Sequence, residues 1–338
     1  MEYTTLGNTG LEVSRICVGC MGFGGSADWK LGEQASREII DRAIDLGINF
    51  FDTANKYADG ESETILGNAL AEYDSEQFVI ATKGRWGSGQ DDRNAQGLSR
   101  KAIDRQIQNS RDRLGVETID LYQLHRWDDD TPIEQTLRAL DDAVSRGDIR
   151  YMGASSMWTY QFAESLFASE RLNLEPFTTM QPFYNLVYRE RERELLPYCH
   201  EKNIGVLPWS PLEHGYLTRP DEEWTTTTRG EGLVDNTHPV REGNNPEINR
   251  RVKELAEEKG VSMAQISIAW LFHNEYVDAP ILGTTSIEHL EDAVEALNIS
   301  LSTSDIEHLE EPYTPVRVSG WDSARERMDY ETETTGGE

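Results

Sequence analysis

The sequence predicts one (β/α)8 barrel domain that spans residues 1–338, and two observations predict it. Segments typical of buried strands and segments typical of helices alternate eight times along the chain. The strand segments are short, continuous apolar runs, as expected of parallel strands that are covered on both faces. The helical segments carry apolar residues at i, i+3 and i+4 spacing. Eight such units with short links indicate a closed barrel surrounded by helices.

Each unit pairs one strand segment with the helix that follows it. The alternative, an open doubly wound sheet, is expected to carry a G-x-G-x-x-G motif after an early strand, and the nearest candidate, GCMGFGG, lacks that spacing. The eight units are RICVG with SREIIDRAIDLG, INFFDT with SETILGNALAEY, FVIATKG with SRKAIDRQIQNSRDRLG, IDLYQLH with PIEQTLRALDDAVSRG, RYMGASS with TYQFAESLFASE, FTTMQPF with RERELLPYCHEKN, IGVLPWS with PEINRRVKELAEEKG and SMAQISIAWLFHN, and DAPILGT with SIEHLEDAVEALN.

Three segments lie outside this alternation. Residues 3–15 are expected to form a hairpin, with Asn8 and Gly10 near its turn, that closes the bottom of the barrel. Residues 212–246 follow the seventh strand without periodicity, which predicts a long lid or binding loop at the C-terminal face. The acidic tail, residues 321–338, is expected to be disordered.

The charge balance excludes several classes of partner. The chain has 61 acidic and 32 basic residues and a formal net charge of −29 at pH 7, and only seven of the basic residues are lysines. Such a surface repels nucleic acid and anionic membranes. It also predicts a halophilic protein, because concentrated salt screens the repulsion between like charges. No apolar segment resembles a secretion signal or a membrane span, so we expect a cytoplasmic protein.

The three cysteines raise the question of a redox or metal site. Cys17 and Cys20 have the C-x-x-C spacing of such sites, and Cys199 is distant in sequence. In a strand, however, the alternation of side chains turns Cys17 and Cys20 to opposite faces. No second pair completes a metal site. The sequence therefore predicts buried structural cysteines and no metal.

Polar residues close three consecutive strand segments. Asp52 follows the second apolar run, Lys83 ends the third and His125 ends the fourth, while Tyr57 stands on the loop after Asp52. Taken alone, each could be a turn former, a solvated cap or a hydrogen-bonded core residue. In a barrel, however, the C-terminal ends of the strands form the active site. Because buried polar groups must satisfy one another, the four residues predict one shared site.

These four side chains suit general acid catalysis on a carbonyl group. A phenol is a weak acid near neutrality, but a neighbouring ammonium stabilises the phenolate that remains after proton transfer. A carboxylate paired with the lysine keeps the ammonium charged and in place. A histidine can orient the reacting oxygen. That oxygen needs a proton because the carbonyl carbon accepts a nucleophile.

Over residues 3–320 the chain resembles the aldo-keto reductases. FDTANKYADGESETILGNAL is similar to the second-strand signature of that family, LYQLHRWD to its fourth strand, GDIRYMGASS to its fifth and VLPWSPLEHGYLT to its seventh. The resemblance places the catalytic tetrad of the family on Asp52, Tyr57, Lys83 and His125. It implies that the nucleophile is hydride from a reduced nicotinamide cofactor, NADPH with NADH possible, and that an aldehyde or ketone is reduced to an alcohol or the alcohol is oxidised.

The same resemblance implies the residues that bind the nicotinamide. Ser155 and Gln181 match positions that hold the carboxamide, and Trp209 matches the aromatic residue that stacks on the ring, although packing at the barrel rim is an alternative role for it. Ser156 stands where the family commonly has asparagine. Two further positions on the loop after the seventh strand are assigned to the cofactor, Ser210 and Leu212.

The far end of the cofactor is expected at the last strand and the helix that follows it. A helix N-terminus attracts phosphate, although a serine-capped helix is the simpler explanation of this segment. Gly283 stands where the family often has lysine, and His289 where arginine is frequent, so we expect a weaker preference for NADPH. The residues assigned here are Gly283, Thr284, Thr285, His289 and Asp292.

Aromatic residues that follow the strand segments predict an apolar substrate pocket, formed by Phe23, Trp29, Trp86, Trp127 and Trp158. Such a pocket suits a small hydrophobic carbonyl substrate, and it discriminates loosely between similar apolar groups. Two other classes of function are weaker. A regulatory subunit that binds the cofactor with little turnover, like the potassium-channel β subunits, is compatible with the resemblance. A metal-dependent hydrolase is not supported, because no H-E-x-x-H motif is present.

Overall fold

A computed structural model describes residues 1–87, 92–224 and 243–316. Eight parallel strands follow one another around a ring, in the order β10 (Ile281–Gly283), β3 (Cys17–Gly19), β4 (Phe50–Asp52), β5 (Val79–Gly84), β6 (Ile119–Leu124), β7 (Ile149–Ser155), β8 (Thr179–Gln181) and β9 (Gly205–Val206). The backbone NH groups of Asp278 and Ile281 donate to the carbonyl oxygens of Val206 and Pro208, at 3.0 and 2.8 Å, which joins β10 to β9. The predicted barrel is confirmed.

The helices surround this ring and none is both long and apolar enough to cross a membrane, within the described residues. They are α1 (Glu33–Asp45), α2 (Glu61–Leu70), α3 (Arg100–Leu114), α4 (Ile133–Arg146), α5 (Thr159–Leu172), α6 (Leu195–Glu201), α7 (Asp221–Trp224), α8 (Asn245–Lys259), α9 (Met263–His273), α10 (Ile287–Glu295) and α11 (Thr303–Glu310). Short 3-10 turns lie at Cys20–Gly22, Tyr57–Gly60, Ser75–Gln77, Glu190–Arg193, Glu213–Thr218 and Ala296–Asn298.

Helix α11 lies beyond the eight predicted units. Its start carries a capping box, because the Ser302 hydroxyl accepts from the backbone NH of Asp305 at 3.2 Å and the Asp305 carboxylate accepts from the NH of Ser302 at 2.8 Å. Both exchanges satisfy NH groups that have no partner within a helix. The S-x-x-D spacing in the sequence is typical of a helix start and could have predicted this helix.

The prediction of an unstructured loop after the seventh strand is wrong for the first part of that segment. Residues 213–224 form a 3-10 turn and helix α7, and the side chains of Tyr216 and Trp224 are buried. The Asn249 side-chain amide donates to the carbonyl oxygen of Tyr216 at 2.7 Å and ties this segment to α8. The two buried aromatic side chains hold this segment against the protein. The many polar residues around them made the segment resemble an unstructured loop in the sequence. Residues 225–242 and the predicted tail lie outside the described residues.

Strand side chains alternate between two cores. Phe50 packs in the core inside the barrel, and Phe51 packs in the outer core between the strands and the helices. Asp52, one residue further, therefore turns inward again. On the next strand Ala81 packs inside the barrel, so Lys83 also turns inward. The period of two brings the carboxylate and the ammonium to the same inner surface.

The N-terminal hairpin closes the lower end of the barrel. Strands β1 (Tyr3–Thr5) and β2 (Glu12–Ser14) pair antiparallel, as predicted. Leu6 and Val13 are fully buried in the inner core. Gly7 has a φ of +52°, and a Cβ atom there would come within 2.6 Å of the backbone nitrogen of Gly205. Only glycine can make this turn against the barrel floor.

All three cysteines are free thiols in buried positions, as predicted. Cys17 packs in the inner core and Cys20 in the outer core, so the two sulfur atoms face different layers. Burial raises the pKa of Cys199 to about 12 and raises those of Cys17 and Cys20 as well. The thiols therefore stay protonated and unreactive.

A carboxyl group is partly buried at the lower rim of the barrel. Asp278 Oδ2 accepts from the backbone NH of Val206 at 2.7 Å. Burial raises the pKa of Asp278 from 3.8 to about 6, even though the NH of Val206 and the charge of Arg15 oppose the shift. The raised pKa favours the folded state below pH 4, and this contribution is lost as pH rises through about 6.

We therefore expect the replacement Asp278→Asn to alter how stability depends on pH. The amide keeps an acceptor for Val206 and never ionises, so the variant avoids the cost of a buried charge. The unfolding free energy of the variant relative to wild type should rise by about 1–3 kcal/mol between about pH 4 and about pH 7.5. Urea unfolding at constant ionic strength measures this difference, and a difference that does not change with pH would contradict the assignment.

Candidate active site

Four side chains meet at the C-terminal mouth of the barrel. Asp52 is the last residue of β4, Lys83 lies near the end of β5 and His125 directly follows β6. Tyr57 lies on the 3-10 turn after β4, where Ala58 has a φ of +49°. The structure thus brings together the four residues that the sequence predicted for one site.

Lys83 occupies the centre of this site and is fully buried. Its Nζ donates to Asp52 Oδ1 at 2.5 Å, to the carbonyl oxygen of Thr53 at 2.8 Å and to the Tyr57 hydroxyl oxygen at 3.2 Å. An ammonium has three N–H donors, so each of them has an acceptor. Burial alone lowers the pKa of Lys83, but the contacts with Asp52 and Tyr57 outweigh it and raise the pKa. The lysine is therefore charged.

The second oxygen of Asp52 is held by two amides. Gln123 Nε2 and Gln181 Nε2 donate to Asp52 Oδ2 at 2.9 and 3.0 Å. Gln181 Nε2 also donates to Gln123 Oε1 at 3.0 Å. The buried carboxylate thus faces one cation and two amide donors, which fixes its position.

His125 lies beside the phenol as a neutral imidazole. Its ring centroid is 5.7 Å from that of Tyr57 and 4.7 Å from that of Trp86, both in edge-on geometry. Burial lowers the pKa of His125 well below its usual value, and the charges of Lys83 and Arg126 lower it further. Its Nδ1 atom is buried without a hydrogen-bond partner among the described residues. A neutral ring can donate one hydrogen bond to a carbonyl oxygen.

Two residues of this site were missed by sequence reasoning. Gln123 stands two positions before His125 on an apolar strand, so the same period of two aims both into the barrel. Asn55 is buried, and its Nδ2 donates to the carbonyl oxygen of Trp86 at 2.6 Å. This bond joins the loop that carries Tyr57 to the loop beside His125. A polar residue inside an apolar strand was the available signal for Gln123.

The predicted nicotinamide residues lie at the ends of the next strands, β7 and β8, and in the segment that follows β9. Ser155 ends β7 and its hydroxyl donates to the carbonyl oxygen of Gln181 at 3.1 Å. Trp209 Nε1 donates to the hydroxyl of Ser156 at 2.9 Å, and Phe183 stacks on the Trp209 ring at a centroid distance of 4.5 Å. Ser210 and Leu212, at the start of the following loop, are each half-buried.

The residues predicted for the far end of the cofactor lie after β10. The Ser286 hydroxyl accepts from the backbone NH of His289 at 3.2 Å and caps α10. Thr284 is buried, whereas Gly283, Thr285 and His289 are exposed. The predicted residue Asp292 is half-buried on the same helix.

Comparison with known proteins decides the family. The sequence model of the Aldo/keto reductase family matches residues 15–313. The chain belongs to the aldo-keto reductase family. Like the other members of this family it is an oxidoreductase, the family acts on small carbonyl compounds, and its members generally use NAD(P)H.

Curated aldo-keto reductases are similar over nearly the whole chain. Versiconal hemiacetal acetate reductase from Aspergillus parasiticus is 39% identical over 349 residues, which cover 94% of this chain and 98% of that protein. An aldo-keto reductase from Metarhizium robertsii is 38% identical over 346 residues, covering 95% and 93%. Another from Fusarium vanettenii is 36% identical over 346 residues, also covering 95% and 93%.

The polar side chains of this aldo-keto reductase fit the nicotinamide end of the family's cofactor. The amide hydrogens of Gln181 bind Asp52 and Gln123, so its carbonyl oxygen can accept from a carboxamide. The Ser155 hydroxyl donates to the backbone carbonyl oxygen of Gln181 at 3.1 Å and lies 3.4 Å from the Ser156 hydroxyl, and its oxygen has two lone pairs, so it can also accept from a ligand. An acceptor pair beside an aromatic ring suits a carboxamide on a flat ring.

The fit is poorer at the end expected to carry the phosphate of the adenosine ribose. His289 is flanked by the carboxylate-bearing residues Glu288 and Asp292 on α10. Arg42 Nη2 lies 2.6 Å from Glu291 Oε1, so the Arg42 guanidinium is already paired with a carboxylate. Carboxylates repel a phosphate, so this end of the site offers little charge for it.

The predicted pocket residues are only partly at the mouth. Trp86 is half-buried beside His125, and Trp29, Trp127 and Trp158 are also half-buried. Phe23 is fully buried in the outer core and has no exposed surface with which to line a pocket. Its apolar side chain follows β3 but turns toward the helices, which the sequence position alone did not reveal. No group of three or more His, Cys, Asp or Glu side chains in the described residues could hold a metal ion.

We expect the Lys83–Asp52 pair to show strong thermodynamic coupling. Lys83→Met leaves a buried carboxylate without its cation and should cost about 3–5 kcal/mol of unfolding free energy. The double variant Lys83→Met with Asp52→Asn carries no unpaired charge, so we expect it to be more stable than Lys83→Met alone. Urea unfolding of the four proteins in a double-mutant cycle measures the coupling.

The exposed pair Arg100–Asp142, with an N–O distance of 3.2 Å and side chains about half exposed, is a matched control. Its coupling energy should lie below about 1 kcal/mol. Equal coupling energies in the two cycles would contradict the prediction that Lys83 and Asp52 depend on each other because both are buried.

Proposed function

We propose that this protein reduces an aldehyde or ketone to an alcohol with Tyr57 as the general acid. One observation carries the proposal. Lys83 Nζ lies 3.2 Å from the Tyr57 hydroxyl oxygen, while Asp52 holds the same nitrogen at 2.5 Å. A phenol in contact with a charged lysine is suited to release its proton to a developing alkoxide.

The residues act on a carbonyl oxygen at the mouth of the barrel. A bound reduced nicotinamide supplies hydride, two electrons with a proton, to the carbonyl carbon. The neutral His125 donates an N–H to the carbonyl oxygen and orients it. Tyr57 then gives its proton to that oxygen, and Lys83 stabilises the phenolate that is left. The product is the alcohol, and a solvent proton restores Tyr57.

The replacement Tyr57→Phe tests this assignment because it removes only the hydroxyl. We expect kcat for an aromatic aldehyde to fall about 10²–10⁴-fold, the usual contribution of a general acid. The affinity for NADPH, measured by fluorescence titration, should stay near the wild-type value. Loss of NADPH absorbance on addition of the aldehyde measures turnover.

Tyr122→Phe is the matched control. The Tyr122 hydroxyl is buried on β6 without a hydrogen-bond partner among the described residues. This variant loses the same atom outside the site and should keep wild-type activity. A Tyr57→Phe variant with wild-type kcat would exclude Tyr57 as the acid, and a wild-type protein that binds NADPH without turnover would favour a regulatory subunit.

NADPH is the proposed cofactor, with NADH also accepted. The carboxylates Glu288 and Asp292 and the exposed, uncharged position of Gly283 support a modest preference. We expect the ratio of kcat/KM for NADPH over NADH to lie below about 10³, or roughly 4 kcal/mol.

The variant His289→Arg should increase this ratio, because it adds a cation that can bind a phosphate. His273→Arg adds the same charge at an exposed position on α9 and should leave the ratio unchanged. A wild-type ratio above about 10³ would contradict the modest preference.

A further inference from the structure

A buried glutamine lies between the acid and the nicotinamide side of the site. Gln123 lies near the end of β6 and is fully buried. It is the register partner of Lys83 on β5 and of Gly153 on β7. Because register partners on neighbouring strands share a face of the sheet, Gln123 and Lys83 both point into the barrel. Gly153 has no side chain, so the amide of Gln123 can extend across β7 toward β8.

The amide of Gln123 forms hydrogen bonds at both of its ends. Its Nε2 donates to Asp52 Oδ2 at 2.9 Å, and its Oε1 accepts from Gln181 Nε2 at 3.0 Å. Gln181 Nε2 also donates to Asp52 Oδ2, at 3.0 Å. Side chains from β4, β6 and β8 thus form a closed ring of hydrogen bonds inside the barrel. Each amide in this ring is oriented by the other two members.

This ring decides which atom of Gln181 a ligand can use. Nε2 of a glutamine carries two hydrogens, and here its acceptors are Asp52 and Gln123. A ligand therefore binds this amide through Oε1, which is an acceptor. The N–H of a carboxamide is a matching donor, and Gln181 is one of the residues predicted to hold the carboxamide of the nicotinamide. Without Gln123, Gln181 loses one of the two acceptors that keep its amide in this orientation.

The same ring is joined to the phenol. Asp52 Oδ1 accepts from Lys83 Nζ at 2.5 Å, and Lys83 Nζ donates to the Tyr57 hydroxyl oxygen at 3.2 Å. A continuous path of hydrogen bonds thus connects Gln181 to Tyr57. In the proposed reaction the carbonyl carbon accepts hydride from the nicotinamide, and the carbonyl oxygen accepts a proton from Tyr57. The two partners must therefore be held at a fixed separation.

We propose that Gln123 is a positioning residue that couples the bound nicotinamide to the acid. The donor end of its amide holds Asp52 and, through Asp52, the ammonium of Lys83. The acceptor end holds Gln181 and, through Gln181, the carboxamide of the cofactor. One amide thus aligns the hydride donor with the proton donor. This inference rests on the carbonyl reduction proposed above and adds a residue that acts through its neighbours.

The first test measures NADPH binding by fluorescence titration, independently of turnover. Gln123→Met keeps the length of the side chain and removes both of its hydrogen bonds. We expect the Kd for NADPH to rise about three- to tenfold, the effect of losing one neutral hydrogen bond. In a Gln181→Met background the same replacement should change Kd less than about twofold, because the residue through which it acts is gone.

Gln106→Met is the matched control. Gln106 is a buried glutamine on α3, and its Nε2 donates to the backbone carbonyl oxygens of Ala95 and Gly97, each at 3.1 Å. The replacement removes two hydrogen bonds outside the site and should leave the Kd for NADPH unchanged. With an aromatic aldehyde, Gln123→Met should lower kcat about tenfold or more and leave KM for the aldehyde unchanged. Gln106→Met should change neither constant.

Gln123→Glu gives a pH dependence that a loss of packing would not produce. A neutral carboxyl group can donate its O–H to Asp52 and accept from Gln181, as the amide does, whereas the ionised group cannot donate and repels Asp52. Asp52 from β4 and Lys83 from β5 are the charged groups that face this position among the described residues. Burial and Asp52 raise the pKa of the new carboxyl group, and Lys83 opposes them.

We therefore expect the kcat of Gln123→Glu, divided by that of wild type at the same pH, to be highest at about pH 5.5 and to fall about tenfold or more toward about pH 8. The same ratio for Gln123→Met should not change with pH. The profile of Gln123→Glu decides the matter if Gln123→Met fails to fold.

The outcomes separate the two proposals. If wild type binds NADPH and does not oxidise it with an aldehyde, the carbonyl reduction fails, and the binding measurements still test the coupling. If wild type turns over but Gln123→Met raises Kd no more than Gln106→Met does, or raises it equally in the Gln181→Met background, the coupling is wrong and the reduction stands. A Gln123→Glu variant that follows Gln123→Met at every pH would also overturn the coupling.

Discussion

A charged lysine sealed inside a barrel is the constraint on which the site depends. Lys83 has no exposed surface, so its charge has to be balanced and each of its N–H groups has to find an acceptor within the fold. Asp52 supplies the balancing charge, and Gln123 and Gln181 then hold the oxygen of Asp52 that Lys83 does not use. A buried ion pair adds little net stability, but it admits few alternative arrangements. This arrangement fixes the Lys83 ammonium, which in turn donates a hydrogen bond to the Tyr57 hydroxyl.

The barrel floor beneath that arrangement is apolar. The hairpin inserts Leu6 and Val13 into the inner core, where they join Leu121 and Leu207 below the polar layer. These apolar side chains cover the lower side of the site. Electrostatic contacts between buried groups are stronger than the same contacts in water. The short hairpin at one end of the barrel therefore strengthens the polar contacts near the other end.

The sequence predicted the barrel and the position of the four central residues because both follow from local patterns. Apolar runs mark the strands, and a polar residue at the end of a buried run is conspicuous. It did not predict the role of Gln123, whose partner on β4 is 71 residues distant in sequence. Phe23 was misplaced because the residue after a strand end can turn toward either core. Helix α11 was overlooked although its capping spacing was visible, since eight units had already completed the expected fold.

The close packing around this polar layer is evident at Gly153. It lies on β7 with its register partner Thr179 on β8, and a Cβ atom there would come within 2.4 Å of the Thr179 hydroxyl and 2.9 Å of the Gln123 side chain. A single methyl group would displace the amide that fixes Asp52. A substitution at this position would thus disturb the geometry around Asp52 as well as the packing of the barrel. The wall of the barrel therefore constrains sequence change at a position that lies outside the four central residues.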